Sequence, residues 1–198
     1  MARERATDTS ALVRAAARVF EEKGYRNATI DDIAAAAGIS RPTVYKYSRS
    51  KQWLLDRIAD EVTSYLGARL RAILDSSAEP AARLRQVIEI HVEAAVTNRT
   101  FYAIVFSEET ELSGLARRKF RIWAHQVTED FRELMEECRA AGGPSDGLNT
   151  TIAAHLILTM LTSLHRWYQP GGAVKPGQLT EQILAVVGAV FPGVPVPR

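Results

Sequence analysis

Between residues 30 and 47 lie two short runs, each with an apolar stripe, separated only by Ala37-Gly38-Ile39-Ser40. Helices this short are marginal in water on their own, so each has to be held by the other and by a neighbour. Ile30, Ile33, Ala34 and Ala37 make the apolar face of the first run. Gly38 is positioned to supply the left-handed angle that closes it, and Thr29 with Asp32 has the spacing of a capping box that opens it. Ser40 caps the second run, Pro42 is tolerated in its first turn, and Ile39 plugs the angle between the two. Upstream, Leu12, Ala15, Ala16, Val19 and Phe20 follow the 3.6-residue period until Gly24. Two short helices joined through a tight glycine turn form a helix-turn-helix arrangement, and the upstream helix is the neighbour they need.

The remaining pattern is helical as well. Ser50 caps a fourth helix that runs to about residue 75, with Leu55, Ile58, Val62, Leu66 and Ile73 in phase. A break at Asp75–Pro80 leads to a fifth helix carrying Leu84, Val87, Ile88, His91 and Ala95. Asn98-Arg99-Thr100 precedes the aromatic segment Phe101–Phe106, and a long helix follows over roughly 110–140. After the loop 141–147, two last helices are expected at roughly 148–168 and 178–191. No strand pattern or internal repeat is present, so the expected class is all-α. Apolar residues make up 46% of the chain and charged residues 24%, the balance of a soluble globular protein. Cys138 is the single cysteine, which excludes an internal disulfide and suits a reducing cytoplasm. Met1–Arg5 leads into no apolar core, so no secretory signal is expected. The uncharged stretch 147–165 contains Asn149, His155, Ser163 and His165 and is too polar for lipid.

The net charge of +2 conceals an asymmetry. Residues 1–51 carry ten bases against six acids, whereas the remainder carries fifteen against seventeen. From Ile33 to Lys51 there are four bases and no acid. A basic end on a slightly acidic body points to a polyanion as partner for that end. The second helix of the motif presents Arg41, Thr43, Tyr45, Lys46 and Tyr47. In a helix-turn-helix, the first residues of that helix meet base edges in the major groove. Arg and Lys read guanine or hold phosphate, a threonine methyl meets thymine, and tyrosine hydroxyls donate to phosphate. Lys51 sits at a helix N-terminus, which also favours phosphate.

The stretch ALVRAAARVFEEKGYRNATIDDIAAAAGISRPTVYKYSRSKQWLL, residues 11–55, resembles the DNA-binding domain of the tetracycline-repressor (TetR) family of bacterial regulators. The resemblance rests on Val19-Phe20, Gly24-Tyr25, Thr29, Asp32-Ile33-Ala34, Ala37–Ser40, Thr43, Tyr45, Tyr47 and Ser50-Lys51 in the family's order and spacing. It places Thr29, Ser40, Arg41, Thr43, Tyr45, Lys46, Tyr47 and Lys51 at DNA-facing positions. Ser48 departs from the pattern, because the family carries Phe there. Either the domain packs more loosely or Trp53 fills the space.

The resemblance implies a three-helix reading domain over residues 1–52 and a helical ligand-binding and dimerisation bundle over 53–198. The last two helices support a dimer independently. They are apolar on more than one face, as helices are when buried against their own core and a partner. Leu156, Met160, Leu164, Ile183, Val187 and Val190 are the expected interface, related by a two-fold axis. His91, Phe101, Tyr102, Phe106, Trp123 and Trp167 have the aromatic character of an effector pocket, although each also reads as core packing. The segments HVEAAVTNRTFYAIVFSEETELSGLARRKFRIW and SLHRWYQPGG are similar to the C-terminal domains of actinobacterial family members that regulate lipid and sterol catabolism. That second resemblance implies an apolar effector such as an acyl-CoA, with Arg121 or Arg166 at its anionic head. The expected partners are therefore an operator duplex, a second copy of the chain and a small apolar effector, in the cytoplasm and without a membrane.

No nucleophile elbow, phosphate loop or dinucleotide fingerprint is present. The four histidines lack metal spacing. An enzyme, a cofactor and a metal are accordingly not expected. The function expected is a repressor released from a palindromic operator. An activator or a ligand-independent regulator is the alternative, and a small-molecule enzyme or carrier ranks far below.

Overall fold

The computed structural model describes residues 8–142, 147, 149–169 and 171–190, with side chains as far as residue 188. Among these residues the chain is helical, with no strand. The elements are α1 (Thr9–Lys23), α2 (Ile30–Ala37), α3 (Arg41–Tyr47), α4 (Lys51–Leu74), α5 (Pro80–Thr97), α6 (Arg99–Ser107), a 3-10 turn (Glu109–Glu111), α7 (Gly114–Ala140), α8 (Thr150–Thr162), α9 (Leu164–Trp167) and α10 (Pro176–Val190).

Local chemistry sets the boundaries. Asp8 accepts from the Ala11 N–H and opens α1. Ser50 accepts from Trp53 at 3.0 Å to open α4, and Asn149 accepts from Ile152 at 3.0 Å to open α8. Two boundaries differ from the apolar period. The long helix starts at Gly114, because Glu109–Glu111 coil more tightly and Ser113 caps the Ala116 N–H at 3.2 Å. The stretch expected as one helix over 148–168 breaks at Ser163. There the hydroxyls of Thr162 and Ser163 donate to the carbonyls of Leu158 and Met160, both at 2.9 Å, a side-chain bonding pattern that bends helices.

The described residues fall into two compact units. One holds the chain up to Thr63 together with Thr100–Arg121, and the other holds Ser64–Arg99 with the chain from Ile122 onward. In the first unit α1, α2 and α3 pack mutually. Leu12, Phe20, Ile33, Val44, Leu54, Leu55 and Ile58 are almost completely buried there. Each such side chain stabilises by roughly 1.5–3 kcal/mol on burial, which is what holds α2 and α3. Phe20 meets Tyr25 edge-on at 5.2 Å, and Phe106 bridges Tyr102 and Phe120 at 5.6 and 5.8 Å. In the second unit α5 is central and packs against α8, α9 and α10. Leu84, Ile88, Phe131, Leu134, Leu161, Leu164 and Leu184 form its core. No helix among the described residues is long and apolar enough to cross a membrane.

Candidate nucleic-acid interface

The α2–α3 turn is built as the spacing requires. Thr29 caps α2 by accepting from the Asp32 N–H at 3.1 Å, and the Asp32 carboxylate accepts from the Thr29 N–H at 3.0 Å. Lys23 donates to Asp32 at 2.6 Å. That bond, followed by those from Thr29, lowers the Asp32 carboxyl to about 2. Gly38 adopts φ 68° and ψ 32°, and its N–H meets the last carbonyls of α2. Ser40 caps α3 by accepting from the Thr43 N–H at 3.3 Å. Ile39 is half-buried and Val44 is fully buried beneath the turn.

The outer face of α3 exposes Arg41, Tyr45, Lys46 and Tyr47, and Thr29 and Ser40 are exposed at the caps. Tyr45 is 50% exposed and Tyr47 37%, which is unusual for aromatic side chains unless something stacks on or bonds to them. Arg41 donates to the Asp31 carboxylate at 2.8 Å. A hydrogen bond to Tyr45 and the charge of Asp31 raise the Arg41 guanidinium above its ordinary value. Two members of the expected DNA-facing set are turned inward. Thr43 is buried with its hydroxyl 2.8 Å from that of Ser40, so its methyl is not displayed for a thymine. The ammonium of Lys51 donates to the carbonyls of Tyr25, Arg26 and Ala28 at 2.7, 3.1 and 2.9 Å and lies 4.5 Å from the Tyr25 ring centroid. Its three donors are spent on the loop before α2, so it fixes that loop where a phosphate contact was expected.

The loop is also tied to the turn before α7, within the same unit. Arg26 donates twice to Glu111, at 2.9 and 2.7 Å, and Gln52 donates to the Glu111 carbonyl at 3.3 Å. The Ser113 N–H donates to Asp56 at 3.0 Å. Ser48, where a Phe was expected from the resemblance, is 3% exposed and its buried hydroxyl has no partner among the described residues. Trp53 is half-buried.

The residues expected at an effector pocket are distributed between the two units. Phe101, Tyr102, Phe106 and Arg121 lie in the first, and His91, Trp123, Arg166 and Trp167 in the second. Tyr102 is buried against Phe106, Arg121 is exposed and donates to Glu109 at 2.9 Å, and Arg166 and Trp167 are exposed. Trp123 lines a cavity of about 180 Å³ with Leu70, Arg71, Val127 and Asp130. His91 is a core residue: its Nδ1–H donates to the Val87 carbonyl at 2.7 Å, and burial pushes it down to about 4, so it is neutral.

The expected dimer residues all fall in the second unit and divide by burial. Leu156 is 67% exposed and Met160 half-buried, whereas Leu164, Ile183 and Val187 are buried inside their own protomer. The Val190 side chain lies outside the described residues. Ile152 and Val186, 59% and 58% exposed, join Leu156 along an apolar groove of about 470 Å³.

Comparison with known proteins matches this architecture in both parts. Residues 12–58 match the family described as bacterial regulatory proteins, tetR family. Residues 77–190 match the tetracyclin repressor-like C-terminal domain. The chain belongs to the TetR family. Its members are transcriptional regulators that bind DNA and are not enzymes, and the exposed α3 lies inside the matched reading domain. Among TetR-family relatives, the HTH-type transcriptional repressor KstR2 of Rhodococcus jostii is 29% identical over 180 residues, covering 89% of this chain and 87% of that protein. The solved structure of the ketosteroid transcriptional regulator KstR2 of Mycobacterium tuberculosis superposes with a TM-score of 0.87 at 26% identity, covering 95% of this chain and 96% of that one. AibR in complex with isovaleryl coenzyme A and operator DNA shares the fold, with a TM-score of 0.79 at 22% identity over 93% and 98% of the two chains.

Within this TetR fold, several positions were not singled out by sequence reasoning. Asp31 was hidden behind its neighbour Asp32, whose capping role explains an acidic first turn by itself. Ile152 lies one turn before Leu156 on the same face, and Val186 is next to Val187; both were legible only as part of helices apolar on more than one face. The partners of Glu111 and Asp56 lie far along the chain, so no local pattern joins them.

Proposed function

We propose that this chain is a dimeric transcriptional repressor that reads a two-fold-symmetric operator with the outer face of α3 and leaves it when an apolar metabolite binds. The observation that carries this reading is the α3 surface itself. It holds one guanidinium, one ammonium and two exposed tyrosines, with no acid inside the helix, on a scaffold capped at both ends. Arg41 and Lys46 supply base and phosphate contacts, and the tyrosine hydroxyls and the exposed caps Thr29 and Ser40 supply positioning contacts. The repressor sense rests on KstR2, which carries that designation. A second copy would cover the apolar groove of Ile152, Leu156 and Val186, since contiguous apolar surface of this kind marks association. Two-fold pairing would then set two α3 helices on successive turns of one duplex.

An acyl-CoA thioester is the effector class favoured here. The relatives include a ketosteroid regulator, and a protein of the same fold has been solved with isovaleryl coenzyme A and operator DNA. The effector must prefer the DNA-free arrangement for release to follow. The reading places the protein in the cytoplasm. The test is a gel shift of the full chain on DNA upstream of its own gene. Retarded complexes that survive excess unrelated duplex and dissolve with acyl-CoA, but not with free coenzyme A, support the reading. Equal competition by unrelated duplex contradicts it.

A further inference from the structure

Asp31 is an acid on a surface that has to approach phosphates. It takes no part in the α2 cap, which Thr29 and Asp32 complete between them. Nor is it there chiefly for stability. The Asp31 and Arg41 side chains are 63% and 56% exposed, and ion pairs that open to water contribute little. What the carboxylate does is restrict one group: its Oδ2 accepts from Nη1 of Arg41 at 2.8 Å. Tyr45 follows one turn further along α3. Arg41 is thus held by Asp31 at the first position of the helix that meets base edges.

We propose that Asp31 is a positioning residue for Arg41: it fixes the guanidinium so that the remaining N–H groups meet a guanine edge instead of a phosphate. The proposal rests on the DNA-reading function above. Its logic is electrostatic and geometric. A guanidinium is a planar fork with five donors, so one tie leaves enough N–H groups for the O6 and N7 acceptors of guanine. An unpaired arginine is drawn to any phosphate, and that contact carries no sequence information. Beside a carboxylate the pair is neutral overall, and a phosphate brought to Arg41 would also be brought to Asp31. Guanine acceptors carry no net charge and do not meet that repulsion. Asp31 therefore gives up non-specific affinity for discrimination.

The test uses the full chain and a pool of duplexes with a randomised core. The wild-type protein is taken through rounds of enrichment. Its affinity is then measured at several salt concentrations for the enriched duplex, for versions with each G·C pair replaced, and for an unrelated duplex. Asp31→Ala is expected to bind the unrelated duplex more tightly and to steepen the salt dependence by about one counterion, the share of one extra phosphate contact. Its preference for one G·C pair in each half-site should fall about tenfold, within the range one bidentate contact supplies. Asp31→Asn, which keeps an acceptor oxygen, should retain part of that preference. Arg41→Ala should abolish the preference at the same pair, and Asp31→Ala added to it should cause no further loss there. Circular dichroism and melting temperature should not change in the Asp31 variants. An unchanged preference in Asp31→Ala, or the same fall in the Arg41→Ala background, overturns the proposal. If the wild-type protein enriches no sequence at all, the DNA-reading function itself fails, and that outcome is distinct from both.

Discussion

The outer face of α3 and the outer face of α8 with α10 are both exposed, yet they present opposite chemistry. On α3 the inward positions are Thr43 and Val44, and the outward ones are mostly basic or aromatic. On α8 and α10 the inward and outward positions are alike: Leu161, Ile183 and Val187 are buried, and Ile152, Leu156 and Val186 are open. An apolar period identifies a core-facing stripe only when the opposite stripe differs. Residue type therefore placed Val44 inside and Arg41, Tyr45, Lys46 and Tyr47 outside on α3, but not Thr43, which is buried. On α8 and α10 it could state only that both sides are to be covered.

The largest effect that would sharpen this comparison comes from paired substitutions on the second face. Ile183→Ala removes a buried side chain and should cost about 2–5 kcal/mol in chemical denaturation. Leu156→Glu should leave the protomer folded while halving the mass seen by light scattering. Loss of mass from Ile183→Ala without loss of stability would exchange the two roles. Acid should also divide the regions. His91, about 4 when folded against an ordinary 6.5, is protonated first in the unfolded chain. Its contribution is complete above pH 6.5 and falls away toward pH 4, a loss of up to about 3 kcal/mol. Asp32 is lowered as well, but from a lower ordinary value, so what it contributes persists until pH falls below that value toward about 2. Hydrogen exchange between pH 7 and pH 5 should therefore show α5 amides losing protection before those of α1 and α2. His91→Leu should remove the pH dependence of α5.

A smaller effect concerns Lys51. Loss of its three carbonyl bonds should destabilise the reading unit by about 2 kcal/mol, as for charge-assisted bonds to backbone. The salt dependence of DNA binding should stay close to that of the wild-type protein. A flattened salt slope with unchanged melting would restore Lys51 to the phosphates. Smallest of all is Ser48→Ala. Removing a buried hydroxyl without a partner should be neutral or stabilising by up to about 1 kcal/mol in thermal melts.

Elements governed by local chemistry were the most legible in the sequence. Thr29 with Asp32, Gly38 and Ser40 each act within four residues, so spacing alone located α2 and α3. The three-dimensional partners of Lys51 are 23 to 26 residues away, and no local pattern announces them. Arg26 with Glu111 and Asp56 with Ser113 span still longer separations. The break at Ser163 was masked because Leu161 and Leu164 carry the apolar period across it, while the bend is made by the hydroxyls of Thr162 and Ser163. For the effector, aromatic residues alone did not separate pocket from core. Tyr102 and His91 lie in the interior, whereas Trp167 faces outward.

The central claim, that a dimer of this chain reads DNA with two copies of α3, is tested most directly by footprinting the full-length protein on its own upstream DNA. The account predicts one protected stretch with two-fold symmetry and half-sites about one helical turn apart, lost on Leu156→Glu and on Tyr45→Ala with Lys46→Ala. Protection without symmetry, or protection that survives the α3 substitutions, would contradict it.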